Sequence, residues 1–320
     1  MTMIFEDFSD IDDLAEDLND PAPGARIMAV IELADSADPA AIPHIARAIE
    51  DEDAGVRLRA ATVLTDFDGP ETSAALVIAL SDVNKDVRKA AAFSLTELKD
   101  PEAGTPLLPC VASADEFVKL SALGGLKELR RPDALAPAIE ALNDTSPAVR
   151  AAAVQVIGWL QDETALPALM AAARDPDPTV RRTAVATFGF TSGIHAEAAL
   201  IKALGDENWQ VREAGAETLA KAGSAAIEAD LIAALDDEYW QVRLKAVRSL
   251  GKLGLSAGAP KIGPMMALDI PNLRKECAAV LGELADPASV VFLEEFRDDA
   301  DPDVRKNVRW ALDKIAQSAA

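Results

Sequence analysis

Ten basic side chains recur at one fixed spacing, and charge-assisted hydrogen bonding is the chemistry that this pattern could do. They stand 31 residues apart, most often in the pair Val-Arg: Arg26, Arg57, Arg88, Lys119, Arg150, Arg181, Arg212, Arg243, Arg274 and Arg305. Cationic side chains bind carboxylates through strong, directional hydrogen bonds. We therefore predict a structural ladder in which they bind the acidic turns of their own or adjacent repeats, so that none is a site candidate by itself.

Groups suited to catalysis are scarce in this chain. His44 and His195 are its only histidines, and Tyr239 is its only tyrosine. No nucleophile, base and orienting residue can be assembled from them by motif. We predict that the protein is not an enzyme and that His195 is a surface or capping residue.

Metal binding is not indicated by the acidic clusters or the cysteines. If Asp299 were the first position of a calcium loop, Val304 would stand where glycine is needed and Trp310 where glutamate is needed. Cys110 and Cys277 lie far apart in apolar helical patterns, so that neither a disulfide framework nor a four-ligand zinc site is available. We predict two buried free thiols, no metal and no cofactor.

The overall charge narrows the classes of partner. The chain has 31 Lys and Arg against 54 Asp and Glu, a formal charge of −23. This balance argues against a protein whose main task is to neutralise phosphates or to coat an anionic membrane. No apolar stretch approaches the ~18 residues of a membrane span, and no basic, apolar leader begins the sequence. We expect a soluble, cytoplasmic protein.

The basic residues lie within an apolar pattern that is typical of helices. Counted from the basic residue, offsets of −1, +3 and +7 are apolar, as in Val56, Ala60 and Leu64, and they share one helical face. A second stripe precedes it by 12 and 8 residues, as in Ile45 and Ile49. Each repeat thus contains a helix A and a helix B, often separated by a turn with proline. The sequence predicts an all-α fold, an α-solenoid of about ten 31-residue helical hairpins.

The hairpins are predicted to form one solenoid domain over residues 1–320, with an acidic N-terminal cap and first helix at 1–20. Within the cap, Ile4, Phe5 and Phe8 are expected to shield the apolar face of the first repeat. The predicted repeats are about 8–38, 39–69, 70–100, 101–131, 132–162, 163–193, 194–224, 225–255, 256–286 and 287–317.

Helical pairs with a proline-bearing turn and the core Asp-x-x-Val-Arg-x-x-Ala-x-x-x-Leu resemble HEAT repeats across essentially the whole chain. A period of 31 is shorter than the ~40–47 residues usual for HEAT repeats, and it resembles the short HEAT-like repeats of the phycobilin lyase family. The resemblance implies a right-handed superhelix with A helices on the convex side and B helices on the concave side. It also implies protein binding or, in the lyase branch, attachment or detachment of bilin chromophores.

At two positions of the repeat, some repeats carry residue types that the other repeats do not, and these differences favour a binding surface. Three residues before the basic residue, where proline is commonest, repeats seven and eight carry Trp209 and Trp240, roughly 10 Å apart on neighbouring turns. Aromatic residues often anchor interfaces. Nine residues after the basic residue, on the solvent side, four acidic residues are followed by Trp159, Phe190, Lys221 and Lys252.

Repeat eight also interrupts the acidic character of the chain. No acid occurs between Tyr239 and Leu268, a segment that contains Arg243, Lys245, Arg248, Lys252 and Lys261. Such a basic segment could balance acidic neighbours or could orient an acidic partner. The adjacent tryptophans favour a partner.

Together these patterns predict a non-enzymatic scaffold or adaptor that binds a partner protein on the concave B-helix face of repeats five to eight. The partner would present an acidic and apolar docking segment. Two alternatives stay open: a bilin or tetrapyrrole lyase-like or maturation chaperone subunit, and nucleic-acid binding through the basic patch of repeat eight. The predicted partner-binding residues are Trp159, Phe190, Trp209, Lys221, Tyr239, Trp240, Lys245, Arg248 and Lys252.

Overall fold

The computed structural model describes residues 11–190, 194–222 and 227–318, and every regular element in these ranges is helical. The chain divides into two compact units, Met1–Ala165 and Leu166–Ala320. The residues predicted to cap the first repeat, Ile4, Phe5 and Phe8, lie outside the described ranges. Within those ranges the predicted all-α architecture is confirmed.

The first unit alternates short and long helices. Its B helices are mostly longer than its A helices, and short 3₁₀ turns lead into or out of several of them. In chain order the α-helices are α1 (Ile11–Glu16), α2 (Pro23–Asp35), α3 (Ile42–Ala48), α4 (Ala54–Val63), α5 (Pro70–Ala79), α6 (Lys85–Glu97), α7 (Glu116–Leu129), α8 (Leu135–Ala141) and α9 (Pro147–Leu160).

The second unit continues the same alternation within its own boundaries. Its even-numbered helices are the A helices of the repeats and its odd-numbered helices are the B helices. They are α10 (Leu166–Ala172), α11 (Pro178–Thr187), α12 (Ile194–Ala203), α13 (Trp209–Ala222), α14 (Glu228–Ala234), α15 (Trp240–Lys252), α16 (Ala259–Met265), α17 (Pro271–Leu284), α18 (Val290–Glu294) and α19 (Pro302–Ser318).

Side-chain caps begin most of the B helices. Asp53 accepts hydrogen bonds from the amides of Gly55 and Val56, and Asp177 accepts one from Thr179 at the start of α11. These bonds satisfy amides that lack a partner within the helix. Pro178 occupies the first helical position, where its missing N–H costs nothing. The acid-rich turns therefore help to fix where most of the B helices start.

The core contains the residues at two predicted positions of each helix B, offsets +3 and +7 from the basic residue. At offset +3, each of the ten residues, nearly all small, is buried, from Ala29 to Val308. At offset +7, nine of the ten large apolar residues are buried, and Leu312 is half-buried. Small residues at one position let helices approach closely, while leucine at the other fills the space, at about 1.5–3 kcal/mol per buried side chain.

The fourth repeat departs from the predicted pattern. Its A segment is not an α-helix but two 3₁₀ turns, Pro101–Gly104 and Leu108–Ala112. Pro106 and Pro109 lack the N–H that α-helical hydrogen bonding needs, and each restricts the residue before it. Leu107 and Val111 are nevertheless buried, so the segment keeps the apolar contacts of a helix A without its regular geometry.

A close contact in the second unit depends on a glycine. A Cβ at Gly282 in α17 would lie 2.7 Å from the backbone Cα of Ala311 and 2.6 Å from the ring of Trp310 in α19. We expect G282A to lower the free energy of unfolding by about 1–3 kcal/mol, because the two helices must separate. G24A is the control, since no atom lies within 4 Å of a Cβ at that position. Equal stability of both variants in urea unfolding would contradict this account of the packing.

Candidate functional site

The ladder of ion pairs holds the turns that carry candidate site residues in the second unit. Arg212 in α13 binds the carboxylate of Asp237 with Nε and Nη2, at 2.6 and 3.0 Å. Its Nη1 donates to the carbonyls of Asp206 and Glu207, at 2.9 and 3.2 Å. One guanidinium thus joins the turn of its own repeat to the turn of the next.

The same arrangement recurs in both units, which confirms the predicted ladder. The acid stands 25 residues after the cation: Arg26–Asp51, Arg57–Asp82, Lys119–Asp144, Arg181–Asp206, Arg212–Asp237 and Arg274–Asp299. Where Ser113 replaces the acid, Arg88 pairs instead with Asp115, at 3.0 Å. These residues are structural, as the sequence indicates.

The ladder lowers the pKa values of several of its carboxyl groups. Hydrogen bonds from Arg57 hold the pKa of Asp82 below its usual value against the opposing effect of burial. Lys119 and the amide of Ser146 do the same for the pKa of Asp144. In Asp237, burial acts to raise the pKa, and the hydrogen bonds from Arg212 and a backbone amide outweigh it.

We expect the stability of the protein to fall in acid for this reason. The carboxyl pKa values are lower in the folded chain than in the unfolded chain, where Asp titrates near ~3.9. The stabilisation is therefore complete above about pH 4 and is lost as the pH falls through the folded values. Urea unfolding at pH 7, 5 and 3 should show similar stability at the first two and a clear loss at the third. Constant stability down to pH 3 would exclude this role for the ladder.

The aromatic residues of repeats seven and eight form a stack at the start of two B helices. The rings of Trp209 and Tyr239 lie 5.3 Å apart at an angle of 11°, and the guanidinium of Arg212 lies 5.6 Å from the centre of the tyrosine ring. Tyr239 is 39% exposed and Trp209 is half-buried. The ladder residue Arg212 thus contributes to holding a partly exposed aromatic surface.

Tyr239 occupies a position where most repeats carry a helix cap. The equivalent residue is Asp53 before α4, Asp177 before α11 and Asn208 before α13, and each accepts a hydrogen bond from a backbone amide. Tyr239 forms no such side-chain bond at the start of α15. Losing a cap costs about 1 kcal/mol. The scaffold therefore does not require this tyrosine.

Two other predicted aromatic residues lie on B helices, Trp240 at the start of one and Trp159 near the end of another. Trp240, half-buried, is the first residue of α15, and Phe190 ends a 3₁₀ turn but its side chain is outside the described part of the structure. Trp159 belongs to the first unit, where it is 44% exposed and lies under the guanidinium of Arg130, at 4.4 Å. The expected neighbour of Trp209 was Trp240, whereas the ring that stacks on it is Tyr239.

The predicted basic residues lie on the B helices, and acids of adjacent repeats pair with two of them. Lys245 binds Glu217 of α13 at 2.9 Å, and Arg248 binds Glu276 of α17 at 2.7 Å. Lys252 and Lys221 are exposed near the C-terminal ends of α15 and α13. The patch that looks purely basic along the sequence is thus a surface of alternating charge.

The structure does not bring the aromatic and basic candidates into one cluster. Trp240 begins α15 and Lys252 ends it, so about 18 Å of helix separates them at ~1.5 Å per residue. Lys245 and Arg248 lie between the two ends. Any partner that contacts all of these residues must extend along the helix.

The structure also locates the thiols and His44, which the sequence offers for other chemistry. No group of three His, Cys, Asp or Glu side chains within them could hold a metal ion. Cys277 is buried, which raises the pKa of its thiol to about 12. Cys110 was also predicted to be buried, but the structure shows it half-buried. His44 lies 3.5 Å from Asp12, and the side chain of His195 is not described. No helix in the described ranges has the length and apolar character needed to cross a bilayer.

Besides Ser113, sequence reasoning missed a further exception in the ladder, although the signal was present. Position +25 from the basic residue is Asp in most repeats, but it is Leu268 for Arg243. Comparing the residues at position +25 in all repeats would have shown that Arg243 lacks the usual Asp. It would not have shown the groove that surrounds Arg243, which depends on how α14 and α16 pack.

Solved structures with a similar fold include importin-β chains and a protein of E. coli. Yeast importin-β (Kap95p) matches with a TM-score of 0.64 and 14% identity, over 96% of this chain and 52% of that chain. Kap95p in complex with RanGDP matches with a TM-score of 0.69 and 15% identity, over the same shares. YibA of E. coli matches with a TM-score of 0.51 and 19% identity, over 90% of this chain and 96% of that one.

The present chain spans about half the length of the importin-β chains, and at these identities the likeness shows the fold alone, an α-solenoid. No protein of curated function matches the sequence. A family model described as HEAT repeats matches residues 11–96, 73–140, 104–189, 171–231, 197–270 and 228–313. The chain therefore belongs to the HEAT-repeat family.

Proposed function

We propose that this protein is a non-enzymatic scaffold that binds a partner protein along the B helices α13 and α15 of its second unit. HEAT-repeat solenoids are typically protein-interaction scaffolds, and the importin-β structures include complexes with Ran and with Nup1. The observation that carries the proposal is the stack of Trp209 and Tyr239. The stack is partly exposed, and Tyr239 stands at a position where most repeats carry a helix-capping residue.

The stack has the physical properties of an interface anchor. Two large rings packed in parallel lose little conformational freedom on binding, since Arg212 and the ladder already hold them. Tyrosine and tryptophan are enriched among the residues that dominate binding energy. An apolar side chain of the partner would pack against the exposed part of these rings.

The charged surface further along α15 would orient the partner. Arg248 and Lys252 are exposed, and Lys245 and Arg248 can exchange their present carboxylates for those of an acidic segment. Rim charges of this kind affect association rate and salt dependence more than affinity. We therefore propose a partner segment with an apolar part at the stack and an acidic part toward Lys252.

The two other predicted functions are less well supported by the geometry. The acids Glu217 and Glu276 lie among the basic residues of α15 and would repel a phosphate backbone. The phycobilin-lyase and nucleic-acid alternatives stay predictions, as do the contribution of Trp159, the repeat boundaries and the cytoplasmic location. No observation favours them over protein binding.

Neutralising the basic residues of α15 tests the orientation part of this proposal. A partner captured on the tagged chain from native cell extract, identified by mass spectrometry and purified, should bind K245Q/R248Q/K252Q about tenfold more weakly at low salt, because steering is lost. The difference should shrink at high salt. The control R59Q/K85Q/K89Q removes the same charge from exposed positions of the first unit. Equal affinity of both variants would refute the placement on α15.

A further inference from the structure

Arg243 is a ladder residue without an acid. Arg212 pairs with Asp237, which stands 25 residues after it. The residue at the same distance after Arg243 is Leu268, which has no carboxylate. Among the described residues, Arg243 forms no hydrogen bond or ion pair, and its Nε is buried without a hydrogen-bond partner. Arg243 as a whole is half-buried, but leaving its buried Nε without an acceptor is costly, so this atom calls for one.

A groove of about 540 Å³ opens beside this arginine. Arg243 lines it together with Leu235 at the end of α14 and with Pro264, Met265 and Leu268 on or just after α16. A comparable groove of about 400 Å³ lies beside Arg181 in the same unit, but there Asp206 fills the acid position and binds the guanidinium at 2.8 Å. The two grooves therefore differ in whether the carboxylate is supplied by the chain.

The charges around the groove at Arg243 leave it positive. Lys261 and Asp236 also line it, and they form an ion pair with each other. The nearby carboxylate of Asp237 is held by Nε and Nη2 of Arg212 and by the amide of Tyr239, and the charge of Arg243 also acts on it. None of these acids forms a hydrogen bond or ion pair with Arg243, so its guanidinium has no bound carboxylate beside the apolar wall.

We propose that this groove is a second docking site, in which Arg243 binds an Asp or Glu carboxylate of a partner protein that is flanked by apolar side chains. The incoming carboxylate takes the place that Asp occupies in the other ladder steps, and the apolar neighbours pack against Pro264, Met265 and Leu268. Neither Trp209 nor Tyr239 lines this groove, and the site does not require that their stack binds anything.

Two substitutions at one position test whether this place accepts a carboxylate. L268D supplies the missing ladder acid within the chain, whereas L268N supplies a neutral group of the same size. We expect L268D to melt about 2 °C above L268N, since only the aspartate can pair with Arg243. A melting temperature of L268D at or below that of L268N would show that a carboxylate cannot reach the guanidinium, which would overturn the proposal.

Binding itself can be followed at the arginine. The Nε–Hε resonance of Arg243, assigned by its loss in R243K, is recorded while the peptide Ac-Leu-Asp-Leu-NH₂ is added to the full chain. We expect a saturable shift with a dissociation constant of about 1 mM, which is a weak but measurable affinity. The shift should persist in L268N and disappear in L268D, where the internal aspartate competes.

Three results would contradict the site: no shift with the aspartate peptide, an equal shift with Ac-Leu-Asn-Leu-NH₂, or an equal shift with acetate alone. The first two would exclude recognition of a carboxylate, and the third would exclude recognition of its apolar neighbours. Because the readout is at Arg243 and uses a defined peptide, failure here leaves the scaffold proposal at α13 and α15 untouched.

Discussion

Replacing Asp237 by Asn should lower the free energy of unfolding by about 3 kcal/mol, because it leaves the guanidinium of Arg212 with only the exposed carboxylate of Glu238, at 3.5 Å, as a counter-ion. Only 11% of the Arg212 side chain and 9% of the Asp237 side chain are exposed. Breaking a buried pair by removing one partner strands the other charge where water cannot solvate it. Asparagine keeps the size of the side chain and an acceptor for the Tyr239 amide, so the loss reports the charge.

The pair of Asp86 and Lys89 is the matched control for this measurement. Its atoms are 3.8 Å apart and both side chains are 73% exposed. The same change, D86N, should alter stability by less than about 1 kcal/mol, as for other exposed pairs. Urea unfolding followed by circular dichroism compares the two. If D237N were no more destabilising than D86N, the ladder would not be what joins successive repeats.

The second large effect concerns partner binding by the aromatic stack. W209A/Y239A should weaken binding of the captured partner about 30-fold, which corresponds to a loss of ~2 kcal/mol for an interface anchor. F93A in α6 is the control, because Phe93 is 62% exposed in the first unit and belongs to no predicted site. Affinity is measured by isothermal titration calorimetry.

Y239N separates binding from folding more sharply. Asparagine restores the helix cap that Asn208 provides one repeat earlier, worth about 1 kcal/mol, and this offsets the loss of ring stacking. We expect unchanged stability and weakened binding from this variant. Binding at wild-type strength by both Y239N and W209A/Y239A would show that the stack has only a structural role.

Much of the fold could be predicted because each repeat supplies the same physical information. The offsets +3 and +7 face one side of a helix, and the structure buries Ala60 and Leu64 as that spacing requires. The ladder was predictable from residue chemistry, since Arg stands among acidic turns. The fourth helix A was not, because the apolar spacing of Leu107 and Val111 is kept while Pro106 and Pro109 prevent α-helical hydrogen bonding.

The candidate site was predictable only in part. Tyr239 and Trp209 stand out because they replace residues that the scaffold favours, but which ring stacks on which depends on side-chain orientation. The basic segment of repeat eight looked uncompensated because its acids come from other repeats, 28 residues away in Glu217 and Glu276. Such pairs depend on packing between helices, which no single stretch of sequence contains.

Site-specific photo-crosslinking in native cell extract tests the central claim most directly. A benzophenone side chain is placed at Tyr239, and at Ile78 in the first unit as a control of comparable exposure, 39% against 52%. Protein binding at the stack predicts a discrete crosslinked protein from position 239 that is absent from position 78 and is lost when W209A is added. Crosslinking from position 78 alone, or the same products from both positions, would contradict the proposal.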